Sequence, residues 1–357
     1  MRKLLLKSIG VITLLFVAFI AYHFYSNAPV TTEEIIGPDE AAQAAESVRL
    51  FKQVIDKNTT TYAARGAHAK GHACVKAWFE VHEGLDKSLQ HGILEQPGTK
   101  FKSWIRFSNG RSSMVGNDDT EKDAHGMAIK VLVDTDKNQI QDFLMHDHPV
   151  FFTANLEDYN QFVRSDNKIL YFVANPNPFK WKLREMRHGL NTLKQPPSSP
   201  LATQYFSNTP YKLGPHNIKF SAKACSLDTN NNTQVNNDPD FLSKTMQAEL
   251  QEQTACFEFM VQLQNPKKYM PIEDASIEWK ESDAPYMSVA KITIPQQSFN
   301  SAEQNQFCEN LSFSPWNGLT DHRPIGQLNR IRKVVYEASA KYRTKKNQTQ
   351  ISQGLAW

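Results

Sequence analysis

The sequence predicts an α+β fold in which packed helices surround an antiparallel β-barrel, and three observations support this. Five segments are typical of strands, and several alternate apolar and polar residues at period two: 77–81, 104–108, 127–133, 256–263 and 288–294. Residues 39–58 and 323–343 have helical composition near the two ends of the chain. The 357 residues are 40% hydrophobic and 11% aromatic, which is enough for a large buried core.

The first segment of the chain is typical of a membrane anchor. Arg2, Lys3 and Lys7 precede an apolar stretch over 9–25 that contains no Asp, Glu, Lys or Arg. We therefore predict an N-terminal transmembrane anchor over 1–28, with the body on the periplasmic or equivalent side. A small-residue pattern at 26–28 leaves secretion after signal cleavage as the alternative.

The remaining chain divides by composition into a linker, a body and a tail. We expect a linker over 29–45, one domain over 46–343 and a polar tail over 344–357, with long connections within 196–237. Pro324 suits the first turn of the closing helix over 323–343. The body contains no recognisable internal repeat.

Charge and cysteine usage exclude several classes of protein. The 40 basic residues exceed the 37 acidic ones by only three, and no basic run is interleaved with aromatics, so we expect no nucleic-acid partner. The four cysteines are far apart without a C-x-x-C motif, which argues against a zinc ribbon, an iron–sulfur cluster and covalently attached haem. One disulfide is possible in an oxidising compartment, and its pairing stays open.

Two local patterns suggest a site for a flat ligand. His68 follows Arg65 by three residues within a run of Ala and Gly that is too small to shield it. On the closing helix, Arg332, Tyr336 and Arg343 share one face, and an arginine one turn from a phenol favours the phenolate, a known haem iron ligand. A packed core histidine and a buried tyrosine beside solvated arginines explain the same patterns without a ligand.

The strand over 104–108 places Arg106 and Ser108 on one face, with Ile105 and Phe107 on the other. If the polar face points inward, both polar side chains need partners. If it points outward, the strand is an ordinary half-buried one.

Ordered motifs throughout the body resemble those of haem catalases. They are R-G-A-H-A-K-G at 65–71, F-E-V at 79–81, I-R-F-S at 105–108, D-A-H-G-M-A-I-K at 123–130, P-V-F-F at 149–152, F-S-P-W-N at 313–317 and the R-x-x-x-Y at 332–336 with Arg343. The resemblance covers most of the chain and implies an eight-stranded antiparallel barrel with surrounding helices and buried haem b. The chain is short and resembles the small catalase-related peroxidases more than full-length catalases.

The resemblance also implies a role for each site residue. Tyr336 would bind the iron and Arg332 would support its phenolate. His68 would be the distal acid/base, hydrogen-bonded by Ser108. Three arginines would meet the propionates: Arg65, Arg106 and Arg343. Two aromatic side chains would lie near the haem: Phe152 and Tyr159.

One departure from the family changes the expected chemistry. Where full catalases have an Asn-Asn pair, one amide of which orients peroxide, this chain has His146 and Asp147, followed by His148. We therefore assign His146 and Asp147 to the catalytic site. The expected activity is heterolytic, peroxidase-like cleavage of hydrogen peroxide or organic hydroperoxides in oxidative stress defence, using an unknown electron donor and with weak catalase activity.

Three other interpretations stay open. Allene oxide synthase or fatty acid hydroperoxide isomerase chemistry would use the same site, and a haem-binding protein without turnover would share its residues. Direct metal binding by histidines is the third, because His68 and His72 are four residues apart and 146–148 is rich in ligand types.

Overall fold

The computed structural model describes residues 2–25, 28–225 and 237–357, and for residues 2–9 it describes the backbone alone. Residues 26 and 27 of the possible cleavage pattern therefore lie outside the described residues. So does the segment 226–236 of the predicted long connection.

The described residues form eight α-helices and nine β-strands. The helices are α1 (Arg2–Phe24), α2 (Glu40–Asn58), α3 (Leu156–Arg164), α4 (Lys168–Val173), α5 (Leu183–Thr192), α6 (Phe241–Glu252), α7 (Ala302–Asn310) and α8 (Gln327–Asn347). The strands are β1 (Gly71–Val81), β2 (Lys100–Asn109), β3 (His125–Asp134), β4 (Gln139–His146), β5 (Tyr205–Phe206), β6 (Tyr211–Leu213), β7 (His216–Ala224), β8 (Ala255–Leu263) and β9 (Tyr286–Ile294).

The strands form one antiparallel sheet that closes on itself. Its order is β5-β4-β3-β2-β1-β9-β8-β7-β6, and an additional pairing of β5 with β7 closes the ring. Eight strands therefore form the barrel, and the short β6 lies outside the ring, paired with β7. Among the described residues, this confirms the predicted eight-stranded antiparallel barrel with surrounding helices.

The barrel interior is a continuous apolar core. Phe79, Phe107 and Phe257 are fully buried, and Phe143 joins the same cluster. On β2 the inward Ile105 and Phe107 alternate with Arg106 and Ser108, as the sequence predicts. Both faces of β2 are nevertheless buried, because the polar face lies beneath the segments that build the site described below.

The closing helix begins later than the sequence predicts. Gly326 precedes α8 with φ at +85°, and a Cβ there would lie 2.4 Å from the carbonyl oxygen of Ile272. Only glycine fits this close approach, so the chain turns at 326 and the helix starts at Gln327 instead of 323. Pro324 therefore lies before the helix and not in its first turn.

Helix α2 joins the body by packing against α8 and α3. Ser47 on α2 donates from Oγ to Asn160 Oδ1 on α3 at 2.6 Å, a buried contact. In the predicted linker, Glu34 accepts hydrogen bonds from Arg330 at 2.7 Å and from Arg323 at 2.7 Å. The segment before residue 46 therefore belongs to the packed body.

The predicted membrane anchor is not supported. Within the part of the chain that the structure describes, no helix has both the length and the hydropathy needed to cross a membrane. Helix α1 packs through Phe19 and Tyr22 against Phe179, with ring centroids 5.4 and 5.7 Å apart.

Two disulfides join distant segments, where the sequence indicated that one was possible. Cys74 on β1 pairs with Cys308 on α7, and Cys225 after β7 pairs with Cys256 on β8. The tail is also packed, since Trp104 Nε1 donates to the carbonyl oxygens of Gly354 and Ala356.

Candidate functional site

A cavity of about 260 Å³ lies between one end of the barrel and α8. All the predicted site residues except Asp147 and Phe152 line it: Arg65, His68, Arg106, Ser108, His146, Tyr159, Arg332, Tyr336 and Arg343. Segments from both halves of the chain therefore meet at one cavity.

His68 is held in an uncommon backbone conformation. Its φ is +54°, in the left-handed region that residues other than glycine rarely adopt. The amide of His68 donates to the carbonyl oxygen of Gly110 at 3.1 Å, which fixes this turn before β1. A Cβ at Gly126 would lie 2.7 Å from the His68 ring, so glycine at this position of β3 makes room for the imidazole. A strained backbone held by its neighbours is typical of a functional residue.

Both nitrogens of the His68 ring have polar partners. Nδ1 lies 3.1 Å from Ser108 Oγ, and Nε2 lies 3.2 Å from His146 Nε2. The two imidazole planes are nearly perpendicular, at 87°. Of the two residues that the sequence predicts at the positions of the catalase amides, His146 is therefore the one that contacts the predicted acid/base.

Both imidazoles are neutral near pH 7. Burial, together with the neighbouring His146 and Arg106, lowers the pKa of His68 well below its usual value. Burial and the Arg332 guanidinium lower the pKa of His146 to about 4. One neutral ring therefore donates its N–H to the lone pair of the other across the 3.2 Å contact.

Asp147 is not brought to the cavity. Its carboxylate accepts hydrogen bonds from the His125 amide and from His125 Nδ1, both at 3.0 Å. Burial alone would raise the pKa of Asp147, but the His125 contacts lower it. Because neighbouring residues at the end of β4 point in opposite directions, His146 faces the cavity and Asp147 faces His125.

Phe152 also differs from its predicted place. Phe151 lines the cavity, and Phe152 packs behind it with ring centroids 5.0 Å apart. Tyr159 does line the cavity, where it stacks on Phe51 with centroids 6.2 Å apart. Burial raises the pKa of Tyr159, so this phenol is neutral.

Tyr336 and Arg332 meet on one face of α8, as their spacing predicts. Arg332 Nη2 donates to the Tyr336 hydroxyl oxygen at 3.0 Å. Arg332 Nη1 donates to Asn329 Oδ1 at 3.1 Å and to the Tyr211 hydroxyl oxygen at 3.4 Å. Burial would lower the pKa of Arg332, but the two tyrosine hydroxyls raise it.

The remaining arginines form a cluster around one carboxylate. Arg65 Nη1 lies 2.6 Å from Glu309 Oε2, Arg343 Nη1 lies 3.5 Å from the same oxygen, and Arg106 Nη2 lies 3.7 Å from Oε1. Burial and the nearby Arg65 lower the pKa of Arg106 to about 9 and that of Arg343 to about 10. The cluster therefore has fewer negative than positive groups.

A sequence comparison finds a similarity to one known family over part of the chain. Residues 31–170 match the sequence model of the catalase family, a segment that contains His68, Arg106 and His146. This segment of the chain is similar to catalases. No curated protein sequence matches the chain significantly.

Solved catalases share the fold of this chain. A fungal catalase is 17% identical, with a TM-score of 0.67 over 84% of this chain and 63% of its own. Catalase A from Saccharomyces cerevisiae is 16% identical, with a TM-score of 0.65 over 82% of this chain and 63% of its own. A bacterial catalase is 16% identical, with a TM-score of 0.61 over 86% and 61%. The chain thus spans less than two thirds of the length of these catalases.

The charges of the site fit haem, the cofactor that the resemblance to catalases implies. Three guanidinium groups and the single Glu309 carboxylate leave a net charge of +2, and Nε of the buried Arg106 has no hydrogen-bond partner. Haem b carries two propionates, which would compensate this charge. Tyr336, whose hydroxyl oxygen accepts a hydrogen bond from Arg332, offers a phenol oxygen as a ligand for the iron. The residues present therefore fit haem.

The histidines do not form a direct metal site within the described residues. No group of three or more His, Cys, Asp or Glu side chains there could hold a metal ion. His72 Nε2 lies 2.8 Å from Asn109 Oδ1 in a buried structural contact, away from His68. His148 is likewise absent from the lining of the cavity.

Sequence reasoning missed Glu309, Asn329 and Phe151. Glu309 and Asn329 lie outside the quoted motifs, and an isolated acid or amide gives no signal without its partners. Phe151 was within the P-V-F-F motif, but two adjacent phenylalanines differ in direction only once the backbone is known.

Proposed function

We propose that this catalase-like protein is a haem-dependent peroxidase that cleaves the O–O bond of hydrogen peroxide or organic hydroperoxides heterolytically, in defence against oxidative stress. The observation that carries the proposal is the pair of neutral imidazoles, His68 and His146, in the cavity that also contains Tyr336. Two electrons from an external reducing donor complete the reduction of peroxide to water, or to an alcohol and water.

The cofactor would be held by residues already described. Tyr336 would bind the iron, and Arg65, Arg106 and Arg343 would bind the propionates. When bound, haem supplies an iron that coordinates peroxide and exchanges electrons with it.

His68 moves the proton that heterolysis requires. A neutral imidazole accepts a proton from the peroxide oxygen that would face the iron. It returns this proton to the second peroxide oxygen, which then leaves as water or an alcohol. The depressed pKa of His68 keeps its lone pair available at neutral pH. Ser108 Oγ, 3.1 Å from Nδ1, keeps the ring in this orientation.

His146 is the reason to expect weak catalase activity. Dismutation needs a second peroxide, held by hydrogen bonds while it gives up two hydrogens. The His146 Nε2 already contacts His68 Nε2 at 3.2 Å, so it offers no independent donor such as the N–H₂ of an amide.

The proposal is tested by following hydrogen peroxide and oxygen together in the holoprotein. We expect peroxide consumption that depends on a reducing donor, with little oxygen release. We expect His68→Ala to retain haem and to lose about 100-fold or more of the consumption rate. One oxygen released per two peroxides without a donor, or an undiminished rate in His68→Ala, would contradict the proposal.

A second candidate function is isomerisation of a fatty acid hydroperoxide. The observation that favours it is the apolar lining of the cavity, which includes Met127, Leu144, Phe151 and Val335. Product analysis with a fatty acid hydroperoxide, with and without a donor, separates the two: an alcohol indicates the peroxidase and an allene oxide indicates the isomerase.

We further propose that the body folds in an oxidising, extracytoplasmic compartment. Two disulfides support this, since such bonds persist outside a reducing cytosol. Alkylation of the protein in intact cells should find no free thiols. Four alkylated cysteines would contradict the assignment.

A further inference from the structure

Glu309 lies behind the arginine cluster at the end of α7. It contacts Arg65, Arg106 and Arg343 but does not line the cavity itself. The carboxylate therefore leaves the cavity side of the arginines free for a ligand. Nothing in the motifs of the sequence assigns it a role.

The main chain around Glu309 holds the same arginines. Arg65 Nη2 donates to the carbonyl oxygens of Cys308 at 2.9 Å, Leu311 at 3.2 Å and Glu309 at 3.3 Å. Arg343 Nη2 donates to the Glu309 carbonyl oxygen at 3.0 Å. Residue 309 thus binds two of the three guanidinium groups through both its side chain and its backbone.

A disulfide fixes this segment to the barrel. Cys308, the residue before Glu309, is bonded to Cys74 on β1. Cys74 lies opposite Arg106 in the pairing of β1 with β2, so the bridge is attached beside the third arginine. The position of Glu309 is therefore determined by the covalent framework of the fold.

The charge of Glu309 matters because the arginines are crowded and buried. Arg106 is 4% exposed and Arg343 is 6% exposed. Without a carboxylate, the three positive charges would repel one another with little screening by solvent. Burial alone would raise the pKa of Glu309, but the three arginines lower it, so the group is ionised at neutral pH.

We propose that Glu309 is a positioning residue, which fixes the three arginines so that their free N–H groups and residual charge of +2 match a porphyrin with two carboxylates. This inference rests on the proposed function in taking haem as the ligand. It adds that affinity for the dicarboxylate depends on a third carboxylate that belongs to the protein.

The test measures haem loss from the holoprotein to excess apomyoglobin. We expect Glu309→Ala to lose haem about 10-fold faster than the unmodified protein, since charge-assisted hydrogen bonds to Arg65 are removed. We expect Glu309→Gln, which keeps the shape, to lose haem faster as well. Sodium formate should slow the loss from Glu309→Ala, because a small carboxylate can replace the missing one, and leave the unmodified protein unchanged.

The matched control is Glu303→Gln, the same substitution at an exposed position on α7, which should leave the rate unchanged. Haem retention in Glu309→Ala equal to the unmodified protein would overturn the positioning role alone. Fast loss that formate does not slow would also overturn it, because a purely structural defect has that result. Failure of the unmodified protein to bind haem would overturn the proposed function together with this inference.

Discussion

The Nε2 atoms of His68 and His146 lie 3.2 Å apart at the cavity between the barrel and α8. The resemblance to full catalases predicts an amide at the position of His146, so this contact is the main departure from the chemistry that the resemblance implies. The His68 nitrogen that would accept a proton from peroxide in the proposed mechanism already has a protein partner. In that mechanism, peroxide would enter between the two rings.

Replacing His146 by Asn should increase catalase activity. An amide provides an N–H₂ group for a second peroxide and releases His68 from its imidazole partner. We expect His146→Asn to release oxygen from hydrogen peroxide about 10-fold faster, the effect of one well-placed hydrogen bond to a reacting group. An oxygen electrode measures the rate. His146→Ala is the control and should not gain oxygen release, so equal rates in the two variants would refute this account.

Tyr336→Phe should abolish tight haem binding, because the phenol oxygen beside Arg332 is removed. Haem titration followed by absorbance should show a dissociation constant that is at least about 10-fold higher, the effect of losing a strong directional contact. Tyr342→Phe is a matched control on the same helix, since its hydroxyl contacts Asp56 away from the cavity. Equal haem affinity in both variants would remove Tyr336 from the iron site.

The two disulfides should differ in their effect on haem retention. In the chain-entropy description, loss of either bond lowers the free energy of unfolding by about 4 to 5.5 kcal/mol, with the larger value for Cys74–Cys308 because it closes the longer loop. Only the pair Cys74→Ser and Cys308→Ser frees the segment whose carbonyl oxygens bind Arg65 and Arg343. We expect that double variant to lose haem several-fold faster than Cys225→Ser with Cys256→Ser. Equal rates of haem transfer would contradict a link between α7 and the arginine cluster.

Stability should fall as the pH decreases from about 6.5 to 4. Burial lowers the pKa of six histidines. The pKa falls well below its usual value for His68, to about 3 for His72 and to about 4 for the others: His146, His148, His188 and His322. Since the unfolded chain titrates near 6.5, it binds more protons than the folded chain in this range. Each histidine then lowers the free energy of unfolding by up to about 1.4 kcal/mol per pH unit as the pH falls.

Urea unfolding at pH 7 and pH 5 checks this dependence. His322 accepts a hydrogen bond from the Ile93 amide, so His322→Gln retains an acceptor there. In this variant the free energy of unfolding should depend less steeply on pH, by the contribution of one proton. A free energy of unfolding that is unchanged between the two pH values would contradict neutral burial of these rings.

The fold and most of the cavity were predictable because their signals are periodic or ordered along the chain. The four-residue spacing of Arg332 and Tyr336 predicts their contact, and the alternation on β2 predicts that Arg106 and Ser108 share a face. The order of the motifs along the chain predicts that His68 belongs to the same site.

The rest depends on backbone details that sequence does not encode locally. Asp147 and His146 are adjacent, and only the end of β4 determines which one faces the cavity. Glu309 becomes informative once α7 lies across the arginines. The start of α8 depends on the close approach of Gly326 to Ile272, two segments that are distant in sequence.

The most direct test of heterolytic cleavage by His68 is the product ratio from cumyl hydroperoxide with the holoprotein and a reducing donor. Heterolysis gives cumyl alcohol, whereas homolysis gives an alkoxyl radical that fragments to acetophenone. We predict that the unmodified protein forms mainly the alcohol and that His68→Ala shifts the product towards acetophenone. Acetophenone as the main product of the unmodified protein, or the same ratio in both proteins, would contradict the assignment of His68 as the acid/base.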